Sequence, residues 1–338
     1  MAKQKQLNSV HLFENASGRI EYNLTNDYMF KAVFQESKEA LTGLVSALLH
    51  VLPEEVSVEV SNPIALGKSI SSKDFYLDLR VVVSDKIHLN LEMQITDYKD
   101  WPERSLSYSM RVFDNLKKGQ YYSDLKELHH VSFVTFDMFK DNNLLYDTYM
   151  VSSIKNSQVY TDKFKISVVN LRQLDSATEE DKIYRLDKWC KLIVASTWEE
   201  LKELAKGDSY MQAAIEKEFD LLSDFEVREE ARRRREYYEH VANLNATITE
   251  KETVIKKRLE EIEEKESIIL KKQTELKEKD SVIEQKQTEL KEKDSVIEQK
   301  QTELKEKDSV IEQKDADIRQ LQETIEKLKG ELNSRSKM

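Results

Sequence analysis

The chain has 338 residues, with 53 Lys or Arg against 64 Asp or Glu and a formal net charge of −11. That length accommodates one sizeable globular domain and an extended segment, and a single cysteine, Cys190, excludes an intrachain disulfide and points to a reducing compartment. No apolar run approaches the roughly 18 residues of a membrane span, and the N-terminal MAKQKQLNSV lacks the apolar core of a signal peptide, so the expectation is a cytoplasmic protein with no membrane partner. The charge is uneven, −9 over residues 1–226 and −2 over 227–338. An acidic first part argues against a bulk DNA-binding surface. Any nucleic-acid contact must come from a local basic stripe or from a metal that offsets carboxylates.

After a polar arm (residues 1–20), Thr25 or Asn26 can cap a helix through Asp27, Phe30, Lys31, Val33 and Phe34. A second helix is predicted over 38–51, with Leu41, Leu44, Val45, Leu48 and Leu49 on its core face. Residues 75–95 read as a β-hairpin. Leu77, Leu79, Val81 and Val83 alternate with Tyr76, Asp78 and Arg80, and Ile87, Leu89, Leu91, Met93 and Ile95 alternate with His88, Asn90, Glu92 and Gln94. With Ser84-Asp85-Lys86 as the turn, Val83 pairs with Ile87, which puts Asp78 opposite Glu92 and Tyr76 opposite Gln94. Opposed side chains have Cβ atoms roughly 5 Å apart, so two carboxylates there repel. A divalent cation resolves the conflict, and hard cations such as Mg2+ favour one or two carboxylates plus water and phosphate oxygens. The bland alternative is that both carboxylates simply face solvent.

Beyond the hairpin, Trp101-Pro102 opens a helix. Leu106, Met110, Phe113 and Lys117 lie on one side of it, and Arg104, Tyr108, Arg111 and Asn115 on another. Strands are predicted over 131–139 and 163–171, and helices from about 179 to Leu222. His129-His130 lack metal-ligand spacing. Around ARRRREYY (231–238), interleaved Glu229, Glu230, Glu236 and Glu239 suggest a solvated, salt-bridged helix.

The tail contains KQTELKEKDSVIEQ three times without change, over 272–313, and no Gly or Pro between Gly207 and Gly330. Every seventh residue from Val241 to Leu332 is Val, Ile or Leu, which predicts a left-handed coiled coil. The companion d positions are Leu244, Leu321 and Leu328 at the ends but Lys or Arg from Lys251 to Lys314. This is a thin seam, suited to a weak parallel homodimer or to a solvated single helix.

An Asp on one strand and Glu-x-Gln on the next resembles the PD-(D/E)XK nuclease core, with Gln94 at the usual Lys position. The stretches LTNDYMFKAVF (24–34), SNP (61–63), YLDLRV and LNLEMQ (76–94), WPERSLSYS (101–109), LKKGQYYSDL (116–125) and VSFVTFDMF (131–139) are similar to the Rpn-type recombination-promoting nuclease and transposase family, over roughly residues 20–240. The resemblance implies Mg2+-dependent DNA cleavage, with Mn2+ as a substitute. Asp78 and Glu92 would hold the metal, with the Met93 carbonyl as a further ligand and Gln94 positioning the water. A neutral amide lacks the charge of Lys but can still orient water. In such a fold the helix after the hairpin packs beside the site, so Arg104 and Arg111 would grip phosphates and Tyr108 would orient. Asp27 lies in a family motif, as a metal residue or a helix-start charge.

The resulting expectation is an α/β protein: an N-terminal arm (1–20), a PD-(D/E)XK core of mixed sheet and flanking helices (21–175), a helical extension (176–226) and a coiled-coil tail (227–338). Its leading function is a DNA endonuclease. The alternative is a catalytically idle, nuclease-derived interaction or scaffolding module assembled through the coiled coil.

Overall fold

The computed structural model describes residues 13–64, 66, 78–97, 100–114, 116, 118–139 and 141–335. The chain divides into two compact units, Met1–Ile248 and Thr249–Met338.

In the first unit, α1 (Asp27–Glu36) begins at Asn26, whose side chain accepts from the Met29 N–H at 3.2 Å. Ser37 stops it and caps α2 (Lys38–Leu49) in turn. A six-stranded sheet runs in the order β1-β2-β3-β4-β6-β5. Its strands are β1 (Val58–Val60), β2 (Leu79–Val83), β3 (Ile87–Gln94), β4 (Glu127–Val134), β5 (Tyr146–Met150) and β6 (Phe164–Asn170). β3, β4 and β6 are mutually parallel, and the other pairings are antiparallel, so the sheet is mixed as expected.

The hairpin has the turn read from the sequence. Ser84 and Asp85 both take positive φ, and Val83 pairs with Ile87, a compact connection that matches the twist of the strands. Two short strands, β1 and β5, were not legible in the sequence. The strand predicted over 131–139 begins earlier, at Glu127, and ends at Val134.

Helices cover both faces of the sheet. On one, Phe30, Phe34, Leu44, Leu91 and Phe133 join the main core. The extension α4 (Glu179–Ile183), α5 (Leu186–Val194), α6 (Trp198–Leu204) and α7 (Ser209–Leu222) adds Trp189, Leu201 and Ile215 to it. α7 crosses α2 at Gly43, where a Cβ would sit 2.5 Å from Tyr210 Cβ, so only glycine fits. On the other face lies α3 (Trp101–Phe113), and its Trp101 packs with Val134, Phe136 and Val168. α3 turns Trp101, Ser105 and Ser109 inward and leaves Leu106 and Met110 exposed. Asn115 and Lys117 lie outside the described residues.

Helix α8 spans Phe225–Arg335. Its first turns belong to the core, with Val227 and Ala231 buried. In the second unit, Thr249 to Arg335 is helical, and every side chain described there is exposed.

Candidate active site

The hairpin register runs from Val83–Ile87 to Leu79–Leu91. One residue further, the period of two sets Asp78 across from Glu92, on the face opposite Leu79, Leu89 and Leu91. Tyr76, the expected partner of Gln94, lies outside the described residues. Asp78 and Glu92 line a cleft of about 310 Å³ with Arg80, Asn90, Tyr108, Arg111 and Val112.

The chain at Asp78 is gripped from several sides. Asn62 Nδ2 donates to the Asp78 carbonyl at 2.9 Å, while Asn62 Oδ1 accepts the Arg80 N–H at 2.8 Å. The asparagine of Ser-Asn-Pro thus holds the backbone on both sides of Leu79. Lys31 Nζ reaches the same carbonyl at 2.9 Å, and Arg80 Nε lies 3.4 Å from Asp78 Oδ2.

Desolvation, and secondarily the Asp78 charge, push the Glu92 carboxyl up to about 8; Arg104 opposes the shift and Asp27 adds to it. Behind Glu92 stands His130, its Nε2 3.8 Å from Glu92 Oε2 and 3.1 Å from Ser132 Oγ. Burial pushes His130 down to about 4, so its ring is neutral at pH 7. Asn90 Nδ2 donates to His130 Nδ1 at 2.9 Å, which leaves the ring proton on Nε2. With its amide nitrogen so engaged, Asn90 keeps a buried Oδ1 that has no hydrogen-bond partner among the described residues.

Tyr108 and Arg111 face the cleft from α3. The Arg104 and Arg111 guanidiniums lie 5.6 and 5.7 Å from the Tyr108 ring centre, one on each side along the helix. The Gln94 side chain is buried, and its Nε2 donates to the Thr96 carbonyl at 2.5 Å. The Met93 side chain is in the core. Its carbonyl points the other way from that of Gln94, which accepts from Thr135 on the β4 side. It therefore faces the edge where β2 ends and Asp78 stands.

Asp27 is tied elsewhere. Its carboxylate accepts from Arg234 through both oxygens, from the Tyr238 hydroxyl at 2.7 Å and from the Tyr28 N–H at 2.8 Å. The solvated reading of ARRRREYY and its interleaved Glu residues therefore needs correction at two positions, Arg234 and Glu230, both of them buried. Arg232, Arg233 and Arg235 pair with Glu residues of their own helix, but Arg234 is buried against Asp27. The spacing Val227, Ala231, Arg234, Tyr238 is one inward helical stripe, a signal present in the sequence. Arg80, Asn90 and Lys31 were not singled out in the sequence, His130 was set aside for want of metal-ligand spacing, and Asn62 appeared only within the Ser-Asn-Pro stretch.

The donor set suits a hard cation: two carboxylates, the Met93 carbonyl and an unpartnered amide oxygen. Among the described residues no cluster of three or more His, Cys, Asp or Glu side chains could close around an ion, so water and substrate oxygens would complete the shell.

A mixed sheet flanked by helices, with an acidic pair at the end of a central hairpin, is the architecture of a PD-(D/E)XK core. The family model for the PD-(D/E)XK nuclease family transposases matches residues 24–247, and the chain belongs to that family. No curated protein and no solved structure matches it significantly. Among the described residues, no helix is long and apolar enough to cross a membrane.

Proposed function

We propose that the protein is a metal-dependent DNA endonuclease that hydrolyses phosphodiester bonds, with Mg2+ as its ion and Mn2+ as a substitute. One observation carries the proposal: Asp78 and Glu92 share a cleft in which the Glu92 carboxyl is held near 8 by burial and by the Asp78 charge. That like-charge conflict suits a pair built to bind a cation. When bound, the ion lowers the pKa of a water and offsets charge developing on the phosphate.

The residues around it have separable tasks. Asp78, Glu92 and the Met93 carbonyl hold the ion, and neutral His130 steadies the Glu92 carboxylate without competing for it. Arg111 and Tyr108 meet the phosphate backbone, with Arg104 nearer Glu92. The expected part of Gln94, orienting a water, falls to its side-chain Oε1, since its Nε2 is committed to Thr96.

That commitment of the Gln94 amide also favours the second reading, a nuclease-derived interaction or scaffolding module with an idle site. A plasmid-nicking assay with and without Mg2+ separates the two. The endonuclease reading expects nicking by the parent, lost in Asp78→Asn with the fold intact. Nicking by Asp78→Asn at the parent rate, or none by the parent, removes it. Recombination or transposition is the setting the family suggests for such cleavage. A homodimer through the tail would bring two sites to the two DNA strands.

A further inference from the structure

The site has an acidic pair but no ammonium at position 94, where Gln stands in place of Lys. One buried ammonium does reach it. Lys31, on α1, is 2% exposed, and its Nζ lies 2.9 Å from the Asp78 carbonyl. That carbonyl is its one hydrogen-bond acceptor among the described residues, for three N–H donors. Burying a cation with so little compensation costs stability. The Asp78 carbonyl does not need it either, because Asn62 Nδ2 already donates there at 2.9 Å. A structural lysine would be poorly placed here, whereas a lysine kept for the chemistry of the acidic pair would not.

The fold fixes this ammonium rigidly. Lys31 sits one turn beyond Asp27, which Arg234 and Tyr238 clamp, and α1 is packed through Phe30 against Phe133 of β4. The side chain therefore enters from the core side of the sheet, at the end of β2, whereas a lysine at position 94 would enter along β3.

We infer that Lys31 is the buried ammonium of this site, beside the more exposed guanidiniums of Arg80 and Arg111, and a positioning residue that acts through Asp78. It holds the residue by its main chain and offsets the carboxylate charge as the anionic phosphate approaches. The inference rests on the endonuclease reading.

The test uses the full-length protein, supercoiled plasmid and a Mg2+ titration, with Asp78→Asn, Lys31→Met and Lys31→Arg. Met fills the space of the lysine stem and leaves the Asp78 carbonyl bonded to Asn62. Lys31→Met is expected to lower kcat about 100-fold or more, the scale of one lost electrostatic contact at a reaction centre. KM for DNA and the half-saturating Mg2+ concentration should be unchanged, and the melting temperature equal or higher. Lys31→Arg, which keeps the charge, should retain more activity than Lys31→Met. Parent-like nicking by Lys31→Met, with Asp78→Asn inactive, overturns the inference and leaves the endonuclease reading standing. A Lys31→Met protein that loses melting temperature, Mg2+ saturation and rate together shows a structural lysine and also overturns it. A parent that does not nick with any divalent metal removes the endonuclease reading and this inference with it.

Discussion

Glu218 of α7 is fully buried, and neither carboxylate oxygen has a hydrogen-bond partner among the described residues. Burial alone pushes its carboxyl up to about 8. Such an acid is protonated when folded and ionised when unfolded over the window from about 4.5 to 8, so the unfolded state binds fewer protons there. The contribution of Glu218 to stability therefore falls as pH rises through that window. Glu218→Gln, which has the shape of the protonated acid, is expected to melt with the parent near pH 5 and above it near pH 8. Thermal melts at both values check this, and a Glu218→Gln protein that melts with the parent at both pH values contradicts it. Glu92 is shifted in the same direction by the same first cause, but it has an Asp and two Arg beside it in a cleft. The contrast shows how a raised carboxyl by itself marks burial, and how its neighbours mark a site. Asp78 and Glu92 were legible because turn length and a period of two fix which residues face each other. Lys31 was not, because its contact with Asp78 spans 47 positions of sequence and depends on where α1 packs.

Among the elements, the start of α8 departs furthest from its sequence. Charge interleaving describes Arg232, Arg233 and Arg235 well, but periodicity outranks it at Arg234, which meets Asp27 207 positions away. Removing one partner of a buried ion pair leaves the other uncompensated, a cost of about 3–5 kcal/mol. Arg234→Ala is expected to lose stability on that scale, with Arg232→Ala and Arg235→Ala within about 1 kcal/mol of the parent. Denaturant unfolding of the three variants decides it, and equal losses would return the whole cluster to the solvated class. Helix α3 failed in a related way. Leu106 and Met110 are its apolar stripe, yet Ser105 and Ser109 face the sheet, because small side chains let the helix lie close. Helices α1, α2, α5, α6 and α7 followed their apolar spacing, whereas α4 buries Asp181 and leaves Ile183 exposed; the edge strand β1 has only three residues and β5 is mostly polar, so neither shows a pattern.

At the scale of the whole chain, the question is what covers the tail. Its apolar residues, such as Ile255, Ile262, Ile269, Ile283 and Ile297, are each about half exposed. A parallel homodimer would bury them, held best near Val241–Leu244 and Ile318–Leu332, where both seam positions are apolar. A chain ending at Ile248 keeps the whole first unit, including Arg234 and Tyr238. Analytical ultracentrifugation on the order of 10 µM should find it monomeric and the full-length chain in a concentration-dependent dimer. Equal monomer masses for both would leave the tail as a single helix or a handle for another protein.

The three identical copies between 272 and 313 give such a pairing an unusual freedom. Two tails offset by one copy meet the same side chains along most of the repeated stretch, so that stretch cannot tell one stagger from the next. Sliding would proceed in fourteen-residue steps, about 21 Å each in a helix, and only the two flanks, with their added leucines at Leu244, Leu321 and Leu328, would lock the stagger. Because each copy is two whole heptads, gaining or losing one leaves the apolar stripe on the same face of the helix. A paired tail would thus be a ruler with interchangeable divisions, adjustable in length by duplication while its pairing rule stayed the same.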